Sequence, residues 1–444
     1  MVKREDSRFH TIQILTEFDR GNPQLSHLFS DYFSSHSLPK SERTTITHLV
    51  QETTRWRGYL DYVLSTLYNR RYKKVEYRLK NILRLGCYEL IFRERTPSYA
   101  IVNSVVNLAI GLVNIKAGGL VNSILRQVDS TYQPDIDTLS GESSVEEISS
   151  LTSHPSWMID RWLRHFGFSN TIDLCQWNNS IPQFTIRRNQ LRIDSETLEK
   201  FLTHSEIDWK KCEFDSNFYF VNRIIHLRNS DEFKAGYFSF QDISGGMVTN
   251  LIEGKKGDYI LDVCAAPGGK STYLAERFGN NITIHSYDVN EDRLEKIKEN
   301  IKRLRLHNIT VEKKDATMDH YPPANTILID VPCTGTGVMA KRADLRWRRR
   351  KEDIQEMQQL QLAILNNVTL SIQSGNEIIY TTCSLEPEEN WSVIEKFLHL
   401  NDDFYIFLLE TRIDSNFIDN RSAICTFPPR DNMDGVFAVK LIKQ

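Results

Sequence analysis

From about residue 236 onward, short runs rich in Val and Ile alternate with stretches of helical period, and this alternation constrains the fold more than any other feature of the chain. DYILDVCAA (258–266) reads as a strand entering a Gly-rich turn, with STYLAERF as the helix after it. ITIHSYDVN, ITVEKKDA, TILIDVPC and EIIYTTCS repeat the strand pattern, and EDRLEKIKENIKRL is a second clear helix. Such an order predicts a doubly wound parallel sheet, with GVFAVKLIK (435–443) pairing at its edge.

The N-terminal part has a different texture. HLVQETTRWRGYLDYVLSTLY and YRLKNILRLGCYELIFRE place apolar residues at i, i+3, i+4 and i+7, so residues 1–130 read as an all-α domain. Leu79, Ile82, Leu83, Leu85 and Leu90 are its expected core. Breaks fall near Gly21-Asn22-Pro23, Ser37–Lys40 and Thr96-Pro97. A third stretch, 98–127, is apolar along one side and is expected to be deeply packed. Residues 131–152 are acidic, Ser-rich and lack an apolar period, which predicts a linker. Residues 153–235 mix helix (SWMIDRWLRHF, SETLEKFLTH) with short strands (FTIRR, FYFVNR) and read as a small α+β module before the 236–444 domain.

Composition removes several classes. No apolar run approaches the ~20 residues of a membrane span, and MVKREDSRFH lacks a secretory core. A soluble cytoplasmic monomer is therefore expected. The seven cysteines are scattered, without CxxC spacing, which argues against a disulfide framework and against a metal site. The net charge of −3 hides an asymmetry. Residues 1–130 carry 19 Lys/Arg against 12 Asp/Glu, so a near-neutral chain still offers a basic face to a polyanion.

Four constellations carry chemistry. LDVCAAPGGKS (261–271) follows a strand, and Gly268 and Gly269 let backbone approach a ligand closely. It is neither GxGxxG nor a phosphate-binding GxxxxGK[ST] loop. Asp288, Asp315 and Asp330 stand at successive strand ends, where carboxylates suit a ribose diol and an amino group. Together these features predict an adenosine-bearing cofactor with no pyrophosphate requirement. Cys333 in DVPCTGTG and Cys383 in TTCS each lie just past a strand, so two thiols are expected in one cleft. KRADLRWRRRKED (341–353) holds seven Lys/Arg around Trp347 and is expected to touch phosphates and stack on a base.

DVCAAPGGKS, DVPCTGTG, RWRRRKEDI, YTTCSLEPEEN and DGVFAVKL, in that order, resemble the motif series of RNA cytosine-5 methyltransferases of the Nol1/Nop2/Sun class, and QDISGGMV (241–248) resembles the segment before their cofactor motif. LKNILRLGCYELIFRERTPSYAIVNSVVNLA and GGLVNSILR resemble a NusB-like RNA-binding domain. The combination is similar to the bacterial Sun/Fmu-type (RsmB) enzymes, which act on 16S rRNA. The resemblance implies a multidomain fold: a NusB-like all-α domain, a small α+β module and an α/β Rossmann-like class I methyltransferase domain. It implies S-adenosyl-L-methionine as cofactor, held by Cys264, Ala265, Ala266, Pro267, Gly268, Gly269 and Lys270 with Asp288, Asp315 and Asp330. It also implies Cys383 as nucleophile, Cys333 as an aid to product release, Asp330 as the group at N3 of the base, and Lys270 beside it. The residues alone do not rank the two thiols. Lys-Asp-Ala at 314–316 stands where the family has Gly-Asp. A tRNA cytosine-5 methyltransferase, or a noncatalytic RNA-binding assembly or antitermination factor, are the alternative readings.

Overall fold

The computed structural model describes residues 6–68, 72–93, 96–409 and 413–444. The first five residues, part of the N-terminal segment read above, and Glu94, the last residue of one expected helix, lie outside them. Two compact units emerge, Met1–Ile181 with Met339–Lys351, and Pro182–Val338 with Glu352–Gln444.

The first unit is helical. It contains α1 (Ser7–Gly21), α2 (Leu25–Ser35), α3 (Lys40–Arg55), α4 (Arg57–Leu67), α5 (Tyr77–Phe92), α6 (Ser98–Leu112), α7 (Ile115–Leu125), α8 (Val145–Thr152) and α9 (Ser156–Asn179). Ile82, Leu83, Leu85 and Leu90 of α5 are buried, and Leu79 packs against the same cluster. The breaks fall where Asn22 adopts a left-handed cap after α1 and where Pro97 precedes α6. The apolar stretch expected as one element is two helices, because Asn114 interrupts it and caps α7 by accepting from Ala117 N at 2.9 Å.

One expectation is refined here. The acidic stretch 131–152 is not simply a linker, because its last eight residues form α8. Ser144 caps it, Glu146 and Glu147 sit in its first turn where the helix dipole favours negative charge, and Ile148 and Thr152 are buried. Acids and serines that suggest solvent exposure here serve a helix N-terminus. The helix α9, read as opening the α+β module, clusters with the helical unit by compactness, and its Met158, Ile159 and Trp162 are buried. Among the described residues no helix is long and apolar enough to cross a membrane.

The second unit begins with a four-stranded antiparallel sheet of order β2-β3-β1-β4, formed by β1 (Phe184–Arg188), β2 (Trp209–Lys211), β3 (Phe218–Val221) and β4 (Phe238–Phe240). The helix α10 (Ser195–His204) contributes Leu198 and Leu202 to a cluster with Ile186, Tyr219 and Phe238. Two short helices, α11 (Ile224–Asn229) and α12 (Asp231–Lys234), precede β4, and α13 (Ile243–Asn250) follows it.

The large sheet is built from β5 (Tyr259–Val263), β6 (Thr283–Asp288), β7 (Ile309–Lys313), β8 (Ala324–Asp330), β9 (Ile372–Thr382), β10 (Phe404–Ile406), β11 (Ile424–Cys425) and β12 (Phe437–Lys443). Its order is β10-β12-β9-β8-β5-β6-β7, with β11 pairing β12. Pairs from β7 to β9 are parallel, whereas β12 runs antiparallel to β9 and to β10. The sheet is therefore mixed. The segment expected at its edge lies inside it, because the three-residue β10, too short to stand out in the sequence, covers its far side.

Adjacent residues on each strand enter opposite cores, which is why these strands read as unbroken apolar runs. Ile260, Leu328 and Ile379 meet Val248 of α13 and Leu274 of α14 (Gly269–Phe278). Their neighbours Leu261, Ile327 and Ile378 instead meet Leu365 and Phe397 from Glu352–Val368 and Trp391–Leu400. Helices thus cover both faces. Strand order reverses between β5 and β8, and such a switch point leaves a crevice beyond the carboxyl ends of the strands.

Candidate functional site

The turn after β5 is the first component. Cys264 and Gly268 both have positive φ, at 62° and 91°. A Cβ on Gly268 would also stand 3.0 Å from Ile297 Cγ2, so glycine is required there. Ala265 N donates to Tyr287 O at 2.8 Å and Ala266 N to Asp288 Oδ2 at 3.2 Å, tying the turn to the end of β6. Gly269 and Lys270 then open α14, whose first N–H groups favour an anion. Burial pushes the Cys264 thiol up, which disfavours its thiolate.

The acids sit as their strand-end positions require, with different partners. Asp288 is buried and accepts from Ala266 N and, at 3.0 Å, from Asn290 N, with Arg293 Nη1 at 3.4 Å. A carboxylate offers about four lone-pair sites, so Asp288 holds the turn and keeps capacity for a hydroxyl. Asp315 Oδ1 accepts from Thr317 N and Oγ1 at 2.9 and 2.6 Å, and these bonds hold its carboxyl below the usual range. Asp330, at the end of β8, accepts from Lys270 Nζ at 2.5 Å. Burial lowers the Lys270 ammonium, but Asp330, Asp262 and Cys383 together raise it above its ordinary value, so it stays charged among them.

Asp262 was missed in the sequence, although a carboxylate inside the apolar run YILDV was the available signal. It is fully buried, accepts from Ser271 Oγ, and burial pushes it up to about 7. A carboxyl raised in the folded state contributes stability that is complete below its unfolded pKa and is lost as pH rises through the folded one. Over this gap the loss is on the order of 4 kcal/mol, most of it between about pH 5 and pH 8. Asp262→Asn should therefore gain stability over the parent at pH 8 relative to pH 5. Urea unfolding at the two pH values checks it.

The turns after β8 and β9 bring the two thiols together. Cys333 Sγ and Cys383 Sγ are 3.2 Å apart. The hydrogen bond to Cys383, then burial, push the Cys333 thiol well above its ordinary value. Backbone closes tightly behind them: Gly337 N donates to Cys383 O at 3.0 Å and Gly435 N to Gly337 O at 2.9 Å. A Cβ at Gly337 would fall 2.5 Å from Gly435 O and 2.9 Å from Cys383 O, both backbone atoms that cannot swing aside. Gly337→Ala is expected to cost about 2 kcal/mol or more and to displace the Cys383 turn. Thermal unfolding together with thiol alkylation rates would read both effects.

The basic run is corrected by the structure. The guanidinium of Arg346, in the helical turn Leu345–Arg348, is fully buried in the helical unit and donates to Ser153 O, Asn178 O and Asn179 Oδ1 at 3.1, 3.0 and 2.8 Å. Burial, then Arg55, bring it down to about 9. Trp347 Nε1 donates to Thr54 O at 2.6 Å, and Arg57 lies over its ring at 5.5 Å. Neither side chain is presented for phosphate or base; both cement α3, α4 and α9. Arg350 and Lys351 of the run remain exposed.

Comparison with known proteins gives consistent matches. A family model described as 16S rRNA methyltransferase RsmB/F matches residues 249–442, the NusB family matches 5–130, and a ferredoxin-like domain of RsmF/B-like methyltransferases matches 154–217. A Bacillus subtilis (strain 168) protein named probable ribosomal RNA small subunit methyltransferase B is 28% identical, covering 91% of this chain and 90% of its own. The Proteus mirabilis (strain HI4320) ribosomal RNA small subunit methyltransferase B is 30% identical over 83% of this chain and 86% of its own. Among solved structures, that of PH0851 is similar with a TM-score of 0.82, covers all of both chains and is 23% identical, a likeness of fold.

Proposed function

Because the chain belongs to the RsmB/F family of ribosomal RNA small subunit methyltransferases, we propose that it methylates C5 of a cytosine in 16S rRNA through a transient bond from Cys383 to C6 of the base. The observation that carries this reading is the pair of sulphurs 3.2 Å apart at neighbouring strand ends, with Lys270 held on Asp330 at the end of the strand before Cys333. C5 of cytosine is a poor nucleophile, and a thiolate at C6 makes it enamine-like. The order of the two thiols follows the family pattern, in which the cysteine of the Thr-Cys-Ser motif, here Cys383, is the attacking sulphur. Asp330, oriented by Lys270, would hold N3 and stabilise the charge that develops there. A base must then take the C5 proton, so that its electron pair re-forms the C5–C6 double bond and expels Cys383 as thiolate, and Cys333 would assist that release.

S-adenosyl-L-methionine, when bound, supplies an electrophilic methyl group. The residues present suit it. The Cys264–Lys270 turn with its obligate glycine allows close approach, Asp288 keeps acceptor capacity for a ribose, and among the described residues nothing donates to Asp315 Oδ2, which remains for an amino group. Residues 1–130, matched by the NusB family, we assign to RNA binding, and the 236–444 region to catalysis. A paired target base must be displayed in a loop or leave its helix.

Bisulfite sequencing of total RNA from cells with and without the gene product tests the reading. One cytosine of 16S rRNA is expected to lose its protection in the deletion strain. Loss confined to tRNA would reassign the substrate, and no loss anywhere would overturn the activity. Calorimetry with S-adenosylmethionine separates an enzyme from a noncatalytic assembly factor, which would bind none.

A further inference from the structure

One buried carboxylate has no part in the reaction as described. Glu389 ends the helical turn Pro387–Glu389 after β9 and is completely buried. Its Oε2 accepts from Thr334 N at 2.8 Å and from Gln361 Nε2 at 3.0 Å. Its Oε1 accepts from Ser384 Oγ at 2.6 Å and from Thr334 Oγ1. Thr334 directly follows Cys333, and Ser384 directly follows Cys383. A single carboxylate therefore binds the neighbours of both thiols. Gln361 strengthens the link by donating to Pro332 O at 2.9 Å as well.

The chemistry of the partners is one-sided. All four are donors, and only an ionised carboxylate accepts at every position. Burial pushes Glu389 up, while these four bonds oppose that. An amide there would present N–H groups to Thr334 N–H or Gln361 and lose at least one bond. The titratable groups around the pair are Glu389 itself, Tyr380, whose hydroxyl donates to Glu389 O at 2.7 Å, and Lys270 on the side of Cys383.

We propose that Glu389 is a positioning residue: its carboxylate clamps the Cys333 and Cys383 turns together and keeps the Cys333 S–H within reach of the Cys383 sulphur. The functional weight of this clamp rests on the two thiols acting as proposed above. The clamp itself is a property of the free protein.

The test uses the full chain with Glu389→Gln and Glu389→Asp. Iodoacetamide alkylation of Cys333, resolved by mass spectrometry across pH, is the first readout and needs no RNA. Removing the charge and loosening the contact both favour ionisation, so in Glu389→Gln the Cys333 midpoint should fall by about one pH unit or more. Methyl transfer should show kcat reduced by about 10- to 100-fold with KM for RNA unchanged, since no contact to substrate is removed. Glu389→Asp, which keeps the charge, should recover part of both. Should Glu389→Gln fail to fold, Thr334→Val with Ser384→Ala loosens the clamp from the donor side and should lower kcat likewise. An unchanged Cys333 profile in a folded Glu389→Gln, or parental kcat in the donor-side variant, overturns the clamp. A shifted profile in a protein that makes no 5-methylcytosine leaves the clamp standing and removes the reaction.

Discussion

Cys383→Ala is expected to lower methyl transfer by on the order of 10⁴-fold or more while leaving S-adenosylmethionine binding near its parental value. The sulphur lies beyond β9, whereas the turn assigned to the cofactor lies beyond β5, so loss of one atom removes the attack on C6 and spares the other subsite. Cys333→Ala should behave differently. With Cys383 intact the bond to the base can form, but the group 3.2 Å away that assists its release is gone. An adduct of protein and RNA should then survive denaturing electrophoresis. The two variants together rank the thiols. If Cys383→Ala accumulates the adduct and Cys333→Ala is the inert one, the roles assigned from the family pattern are reversed.

Arg187→Ala is expected to cost about 3–5 kcal/mol of stability. Arg187 of β1 is fully buried, and its Nε and Nη2 donate to Glu276 of α14 at 3.0 and 2.7 Å. It also donates to Gly269 O at 2.9 Å and to Gln241 Oε1, and its guanidinium lies 4.7 Å over Tyr273. Alanine would strip the buried Glu276 carboxylate of both guanidinium hydrogen bonds and leave it only the charges of Arg303 and Arg188. Burial already holds Glu276 above its ordinary value despite Arg187, and removal of the cation raises it further. A carboxyl raised in the folded state loses stability as pH rises from its unfolded pKa through its folded one. The deficit of Arg187→Ala should therefore be largest at pH 8 and shrink toward about pH 5, near the unfolded glutamate range. Arg187→Met with Glu276→Met should recover most of the loss, because no unpaired charge remains. A pH-independent deficit would make the effect one of packing alone. Since Arg187 also holds Gly269, the first residue of α14, the variant should weaken S-adenosylmethionine binding as well, which calorimetry at pH 5 would separate from unfolding.

The sheet and its strand-end residues were readable because they depend on local pattern. Period-3.6 apolar faces marked α5, and Val/Ile runs ending in Gly, Asp or Cys marked the strands and the turns beyond them. In an α/β sheet the ends of parallel strands converge by geometry, so Cys333 and Cys383 could be expected together although 50 positions lie between them. Other residues gave no such signal. Glu389 stands in an exposed-looking Glu-Pro-Glu-Glu run and Arg346 in a basic run, and both are buried where backbone and hydroxyl donors or carbonyl acceptors happen to converge. Composition reports average polarity; it does not report which charged group finds enough partners to be withdrawn from water.

By itself the sequence determined the main helices and parallel strands in their order, the glycine turn, and the set of acids and thiols at strand ends, since steric preference and apolar periodicity act within a few residues. The tertiary structure decided where β12 lies, that α8, α9 and the 339–351 segment join the helical unit, and which charges are clamps. Those outcomes depend on burial and hydrogen-bond partners supplied by segments tens to hundreds of residues away, and no local pattern encodes them.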